Sequence, residues 1–166
     1  MLEEVTLKKS IEFAIATEEN GAKFYARLAN KFSDKEDVSE LFARLAKDEE
    51  VHKRQFSALL EKAPEEKDIS GAPEKTQYLK AMSVSEFFST DRGPFADADS
   101  IETFNDALGK AFELEKATLS FYQAVSDVLG ENDILNQIMD AEKEHITAIM
   151  KVMISGGKFR SLQDKW

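Results

Sequence analysis

Apolar residues recur at spacings of three and four over four long stretches of the chain, and strict alternation is nearly absent. That is the pattern of amphipathic helices. The first stretch runs from about Thr6 to Lys31, with Leu7, Ile11, Ala14, Ile15, Ala22, Tyr25, Leu28 and Phe32 on one side. The second runs from Asp37 to Lys62 through Val38, Leu41, Leu45, Phe56 and Leu59, with Asp37 and Glu40 as a capping box and Pro64 as the stop. The third covers about Asp99 to Leu129, with Ile101, Phe104, Leu108, Ala111, Leu119, Tyr122 and Val125; Asp99 with Glu102 repeats the capping signature, and Gly130 ends it. The fourth extends from Asn132 to Ser155 through Leu135, Ile138, Ile149 and Val152, closed by Gly156-Gly157.

Short connections around Ser33-Asp34-Lys35 and around Gly130 make helices one and two, and three and four, antiparallel neighbours. Residues 64–98 hold most of the turn formers, among them Pro64, Gly71, Pro73, Gly93 and Pro94. They are expected to cross back along a bundle roughly 38 Å long, with a short helix over Ser83-Val84-Ser85-Glu86-Phe87-Phe88. The expected fold is all-α: an antiparallel four-helix bundle of two hairpins joined by a long crossover, one domain over residues 1–166.

Both histidines close a Glu-x-x-His, and both pairs fall on the apolar face. Helix two steps through Val38, Leu41, Leu45, Glu49, His52, Phe56 and Leu59, and helix four through Leu135, Ile138, Glu142, His145, Ile149 and Val152. Glu18 interrupts the stripe of helix one between Ala14 and Ala22, and Glu115 that of helix three between Ala111 and Leu119. A buried carboxylate left ionised and unpaired is strongly destabilising, so four of them in one core require cations.

Depth along the bundle agrees. Glu18 lies 16 residues before Asp34, with Glu49 and His52 15 and 18 after it; Glu115 lies 15 before Gly130, with Glu142 and His145 12 and 15 after it. All six therefore stand about 18–27 Å from their turns, in one layer. The two hairpins also look like copies: Thr17-Glu18-Glu19-Asn20-Gly21-Ala22-Lys23-Phe24-Tyr25 matches Leu114-Glu115-Lys116-Ala117-Thr118-Leu119-Ser120-Phe121-Tyr122 in its Glu, Phe and Tyr, and each copy has its own Glu-x-x-His. Two divalent ions would cancel four carboxylates, and a carboxylate–imidazole set without thiolate suits iron or manganese, with zinc less well matched.

Composition removes other classes. Hydrophobic residues at 42% and charged residues at 33% of 166 exclude a disordered chain. The absence of cysteine removes disulfides, thiolate metal sites and a cysteine nucleophile. A net charge of −10 argues against nucleic acid and anionic membrane as partners. No apolar run is long enough to span a bilayer, and the start Met1-Leu2-Glu3-Glu4-Val5 lacks the layout of a secretory signal, so a cytoplasmic location is expected. The cluster Asp48-Glu49-Glu50 and the outer Lys and Glu residues read as solvated surface. Phe13, Phe24, Phe112 and Phe121 lie beside the stripe, where a wide core or a helix-face dimer would use them.

The doubled Glu-x6-Tyr and Glu-x-x-His motifs resemble those of the rubrerythrins, within the ferritin-like di-iron carboxylate superfamily, over all four helices, about residues 6–155. The resemblance implies two iron ions as cofactor, with manganese or zinc as substitutes. It makes Glu18 and Glu115 terminal ligands, Glu49 and Glu142 bridges, and His52 and His145 terminal nitrogen ligands. Tyr25 and Tyr122 match tyrosines that hydrogen-bond to ligand carboxylates; core packing with the hydroxyl on a backbone carbonyl is the competing reading. The implied activity is an oxidoreductase acting on hydrogen peroxide or dioxygen, as a homodimer or larger homo-oligomer. Longer rubrerythrins carry a four-cysteine rubredoxin domain that supplies electrons. This chain has no cysteine, so a separate electron-donor protein is expected. They also carry an extra Glu on helix three. Here Thr118 stands one turn beyond Glu115, and Glu113 points about 200° away, which limits the set to six side chains. Two other readings remain at this level: a ferroxidase or iron-handling protein, and a metal-free, non-catalytic helical interaction module.

Overall fold

A computed structural model of the protein describes residues 6–63, 95 and 98–163, with side chains through Ser155. The elements are α1 (Leu7–Lys31), α2 (Glu36–Lys62), α3 (Phe104–Leu129) and α4 (Asp133–Gln163), with a 3₁₀ turn at Ala98–Ser100. The fold is an all-α four-helix bundle. The expected crossover, with its short helix over 83–88, lies outside the described residues apart from Phe95 and Ala98.

Local chemistry sets the helix ends, not always where the sequence suggests. Thr6 caps α1 by accepting from the Lys9 amide. α2 begins at Glu36, one residue before the expected Asp37 cap, because a tight turn carries the chain directly into the helix: Lys35 N–H bonds Phe32 O at 2.9 Å, and Ser39 N–H bonds Lys35 O at 2.8 Å. Asp37 then sits in the first turn beside Glu36, where acids complement the helix dipole. α2 ends as Ala63 turns extended ahead of Pro64. α3 starts at Phe104 rather than Asp99. Ile101 is buried against the end of the bundle before the helix begins, and the capping pair is Thr103 with Asp106, whose amide lies 3.1 Å from the Thr103 hydroxyl. Asn132 caps α4 through the Leu135 amide at 3.0 Å. The helical backbone of α4 then continues through Gly156-Gly157 to Gln163. Glycine weakens a helix by about 1 kcal/mol without ending it.

α1 packs along α2 and α3 along α4, while α2 faces α4 and α1 faces α3. The apolar core falls into two clusters. One joins the end of α1 (Leu28), the start of α2 (Leu41), the start of α3 (Leu108) and the end of α4 (Ile149). The other joins the start of α1 (Ile11), the end of α2 (Leu59), the end of α3 (Val125) and the start of α4 (Leu135). Every neighbouring pair of helices is therefore antiparallel. Phe24 and Phe121 are buried in these clusters, so the phenylalanines widen the core, with Phe13 and Phe112 half-buried at its margin. The inner face of α3 carries Leu114 and Thr118, whereas Leu119 is only partly buried. Between the clusters lies the polar layer.

Two glycines of the second hairpin should respond to alanine in opposite directions. Gly130 has φ +87° and ψ −171°, a conformation that side chains resist, so Gly130→Ala should cost about 1–3 kcal/mol. Gly109, inside α3, has nothing within 4 Å of an added Cβ, and Gly109→Ala should stabilise by about 0.5–1 kcal/mol. Thermal unfolding of the two variants checks both signs.

Candidate metal centre

Each helix lends the layer one carboxylate, and α2 and α4 each add an imidazole one turn further on. Glu18, Glu49, His52, Glu115, Glu142 and His145 are all buried, with Glu142 fully enclosed. His52 Nδ1 lies 2.9 Å from Glu142 Oε1, 3.4 Å from Glu49 Oε2 and 3.5 Å from Glu18 Oε2. His145 Nδ1 lies 3.3 Å from Glu115 Oε2, 3.5 Å from Glu49 Oε1 and 3.9 Å from Glu142 Oε2. The imidazoles stack with centroids 5.4 Å apart. Two groups of donor atoms result, Glu18–Glu49–His52–Glu142 and Glu49–Glu115–Glu142–His145, which share Glu49 and Glu142.

Of these contacts only His145 Nδ1 with Glu115 Oε2 is aligned as a hydrogen bond. His52 Nδ1, Glu18 Oε2 and both carboxylate oxygens of Glu142 are buried with no hydrogen-bond partner. A native core leaves few such orphans, because each is costly. Oxygen and nitrogen lone pairs that converge on one another rather than on protons fit divalent cations. The tyrosines brace the outer members from either side: Tyr25 of α1 donates to Glu115 of α3, and Tyr122 of α3 donates to Glu18 of α1. The hydroxyls thus reach carboxylates, not backbone carbonyls. Thr17 and Thr118 turn theirs back to Phe13 O and Leu114 O, at 2.9 and 2.8 Å, and add no donor to the cluster.

Without cations the layer must hold protons. Burial first, then repulsion from Glu18 and Glu142, pushes the Glu49 carboxyl well above the usual range. Burial and the nearby Glu115 do the same to Glu142. For Glu115, burial also pushes upward, but contacts from Glu142, His145 and Tyr25 outweigh it and bring the group below its ordinary value. Burial disfavours a charged His52, yet the Glu18 and Glu49 carboxylates overcome that and lift it to about 10. Burial, reinforced by the carboxylates, raises both tyrosines well above the ordinary phenol range, so their hydroxyls stay protonated as donors.

A family model described as Rubrerythrin matches residues 9–92, just over half of the 166-residue chain. The chain belongs to the rubrerythrin family. No curated protein and no solved structure matches it. The family match spans α1 and α2 and therefore Glu18, Glu49 and His52. The α3 and α4 members, Glu115, Glu142 and His145, are tied to the site by the internal repeat and by the geometry above.

All six residues that the spacing placed at one depth meet there, and the two donor groups contain no seventh among the described residues. Glu113 is exposed and pairs with Lys116. The reading of Asp48-Glu49-Glu50 as a solvated run needs correction at its first two residues: Glu49 is buried in the donor layer. Glu50 is exposed, but half-buried Asp48 places Oδ2 3.2 Å from His145 Nε2. Asp48 sits one position off the apolar stripe, so periodicity alone does not flag it; its place beside a buried Glu is the only local signal.

The raised groups fix how the metal-free protein responds to pH. A folded-state value of about 10 for His52 means that its ionised form adds stability fully below about pH 6.5, and that this is lost as pH rises through about 10. Glu49 and Glu142 act in the same sense, since raising pH above the carboxylate range forces charge into the layer. The melting temperature of metal-free protein should therefore fall between pH 6 and pH 10, and loading with divalent metal should flatten the profile. Equal slopes with and without metal would contradict this account.

Proposed function

We propose that this chain is a di-iron oxidoreductase that reacts with hydrogen peroxide or dioxygen, its electrons supplied by a separate one-electron carrier protein. The observation that carries the reading is the pair of overlapping donor groups, four of whose buried atoms lack hydrogen-bond partners. Four carboxylates and two neutral imidazoles balance two dications, and a hard oxygen–nitrogen set favours iron or manganese over zinc. Glu49 and Glu142, common to both groups, would bridge the ions; Glu18 with His52 and Glu115 with His145 would complete the two ends. Iron held there would supply one-electron redox chemistry toward a bound oxidant. The residues do the rest. The Tyr25 and Tyr122 hydroxyls hold the end carboxylates in place, and the apolar clusters above and below exclude bulk water. Reduction of one peroxide to two waters takes up two electrons and two protons, which fits a small buried centre fed from outside. We further propose a single cytoplasmic domain that assembles as a homodimer or larger oligomer. Among the described residues no helix is long and apolar enough to cross a membrane.

Metal analysis of purified protein should find about two irons per chain, and Glu142→Ala, which removes an oxygen donor from both groups, should lose at least one. Retention of both by that variant would overturn the ligand assignment. Rapid peroxide consumption with an added reductant should exceed Fe(II) oxidation. Turnover of excess Fe(II) with mineral formation would instead make iron the substrate and the protein a ferroxidase.

A further inference from the structure

We propose that Asp48 makes the two metal positions unequal, so that the group containing Glu115 and His145 holds its ion more tightly than the group containing Glu18 and His52. The inference rests on the dinuclear reading above but concerns a residue outside the six donors.

Asp48 Oδ2 lies 3.2 Å from His145 Nε2, across the interface between α2 and α4. Carboxylates stand at both ring nitrogens, since Nδ1 faces Glu115 Oε2 at 3.3 Å; when Nδ1 serves as the metal donor, the remaining ring proton is on Nε2 and Asp48 accepts it. The other ring nitrogen, Nδ1, then presents a lone pair to Glu49, Glu115 and Glu142. A carboxylate behind a ligating histidine fixes its tautomer and ring orientation and raises its basicity. Arg44 Nε, 3.6 Å from the same Asp48 oxygen, holds this carboxylate from the solvent side.

The internal repeat does not supply the counterpart. Asp48 precedes Glu49-Glu50-Val51-His52 in the same way that Ala141 precedes Glu142-Lys143-Glu144-His145, each directly before the Glu of its Glu-x-x-His. The pseudo-twofold that carries His145 onto His52 therefore carries Asp48 onto Ala141, which is likewise half-buried. A methyl group accepts no hydrogen bond. One imidazole is oriented by a charge from the facing helix, while the repeat places alanine at the position corresponding to that aspartate. Asp48 is a positioning residue, acting through His145.

Cobalt(II) titration of the metal-stripped full-length protein, followed by visible absorption, tests this. The unmodified chain should bind two ions in steps at least about tenfold apart. Asp48→Ala should weaken the tighter step by about 10–100-fold, and Asp48→Asn should weaken it less, since an amide oxygen still accepts the bond without the charge. Ala141→Asp should strengthen the weaker step and narrow the gap, an effect no loss of packing can mimic. Thermal unfolding of the metal-free variants establishes that each is folded. Two equal steps in the unmodified chain, or an unchanged gap in folded Asp48→Ala, would overturn the inference and leave the dinuclear centre standing. Failure of the unmodified chain to take up any ion would remove both.

Discussion

Four carboxylates buried at one level of a helical bundle set the terms for everything around them. Ionised and unmatched, they cost far more than any local hydrogen bond returns, so the layer must be neutralised by protons or by cations. The rest of the bundle supplies the means to hold it. Each fully buried Leu or Phe contributes about 1.5–3 kcal/mol. Residues such as Ile11, Phe56 and Leu135 on one side, and Leu28, Phe42 and Leu108 on the other, clamp the helices on both sides of the polar zone. Without two apolar ends the charged middle would open to water.

The repeat gives the layer its economy. One helix pair carrying Glu, Tyr, Glu and His, used twice, generates two donor groups with shared members and two tyrosines that each brace the other hairpin's first glutamate. Tyr25 stacks on Phe42 and Tyr122 lies against Phe56, so each phenol is fixed by the hairpin it belongs to or faces before it reaches across. Departures from the repeat are where the halves become different. Asp48 against Ala141 is one. Gly21 against Thr118 is another: a Cβ at Gly21 would lie 3.5 Å from Glu49 Cγ, and a cavity of about 10 Å³ borders Glu49 there, near the lower limit for one water. Glu142 has no exposure at all.

How much of this was legible in the sequence follows from what periodicity measures. It reads which face of a helix is inward, and so it found Glu18, Glu49, His52, Glu115, Glu142 and His145 as polar breaks in an apolar stripe. Counting residues from the turns found their common depth. It does not read what a neighbouring helix places behind a side chain, which is why Asp48 passed as surface. Helix ends were less legible because capping pairs compete. Asp99 with Glu102 and Thr103 with Asp106 both fit the pattern, and the burial of Ile101 favours the later one. Gly156-Gly157 is a weak stop, since glycine permits a left-handed turn but does not impose one.

Charge balance links the proton-holding and cation-holding forms of the layer. Glu49 and Glu142, the two members common to both donor groups, are also two of the groups whose carboxyls burial pushes well upward. They are the sites where protons must leave for cations to enter, so metal affinity must fall as pH drops and each binding event must release protons. Sharing has a second consequence. Were Glu49 and Glu142 to lose their protons to solvent as a first ion bound, part of the deprotonation cost of the neighbouring group would already be met, while two cations so close would repel one another. Whether uptake is stepwise or concerted is the difference between those two effects, and the added carboxylate behind His145 shifts that difference toward filling one end first.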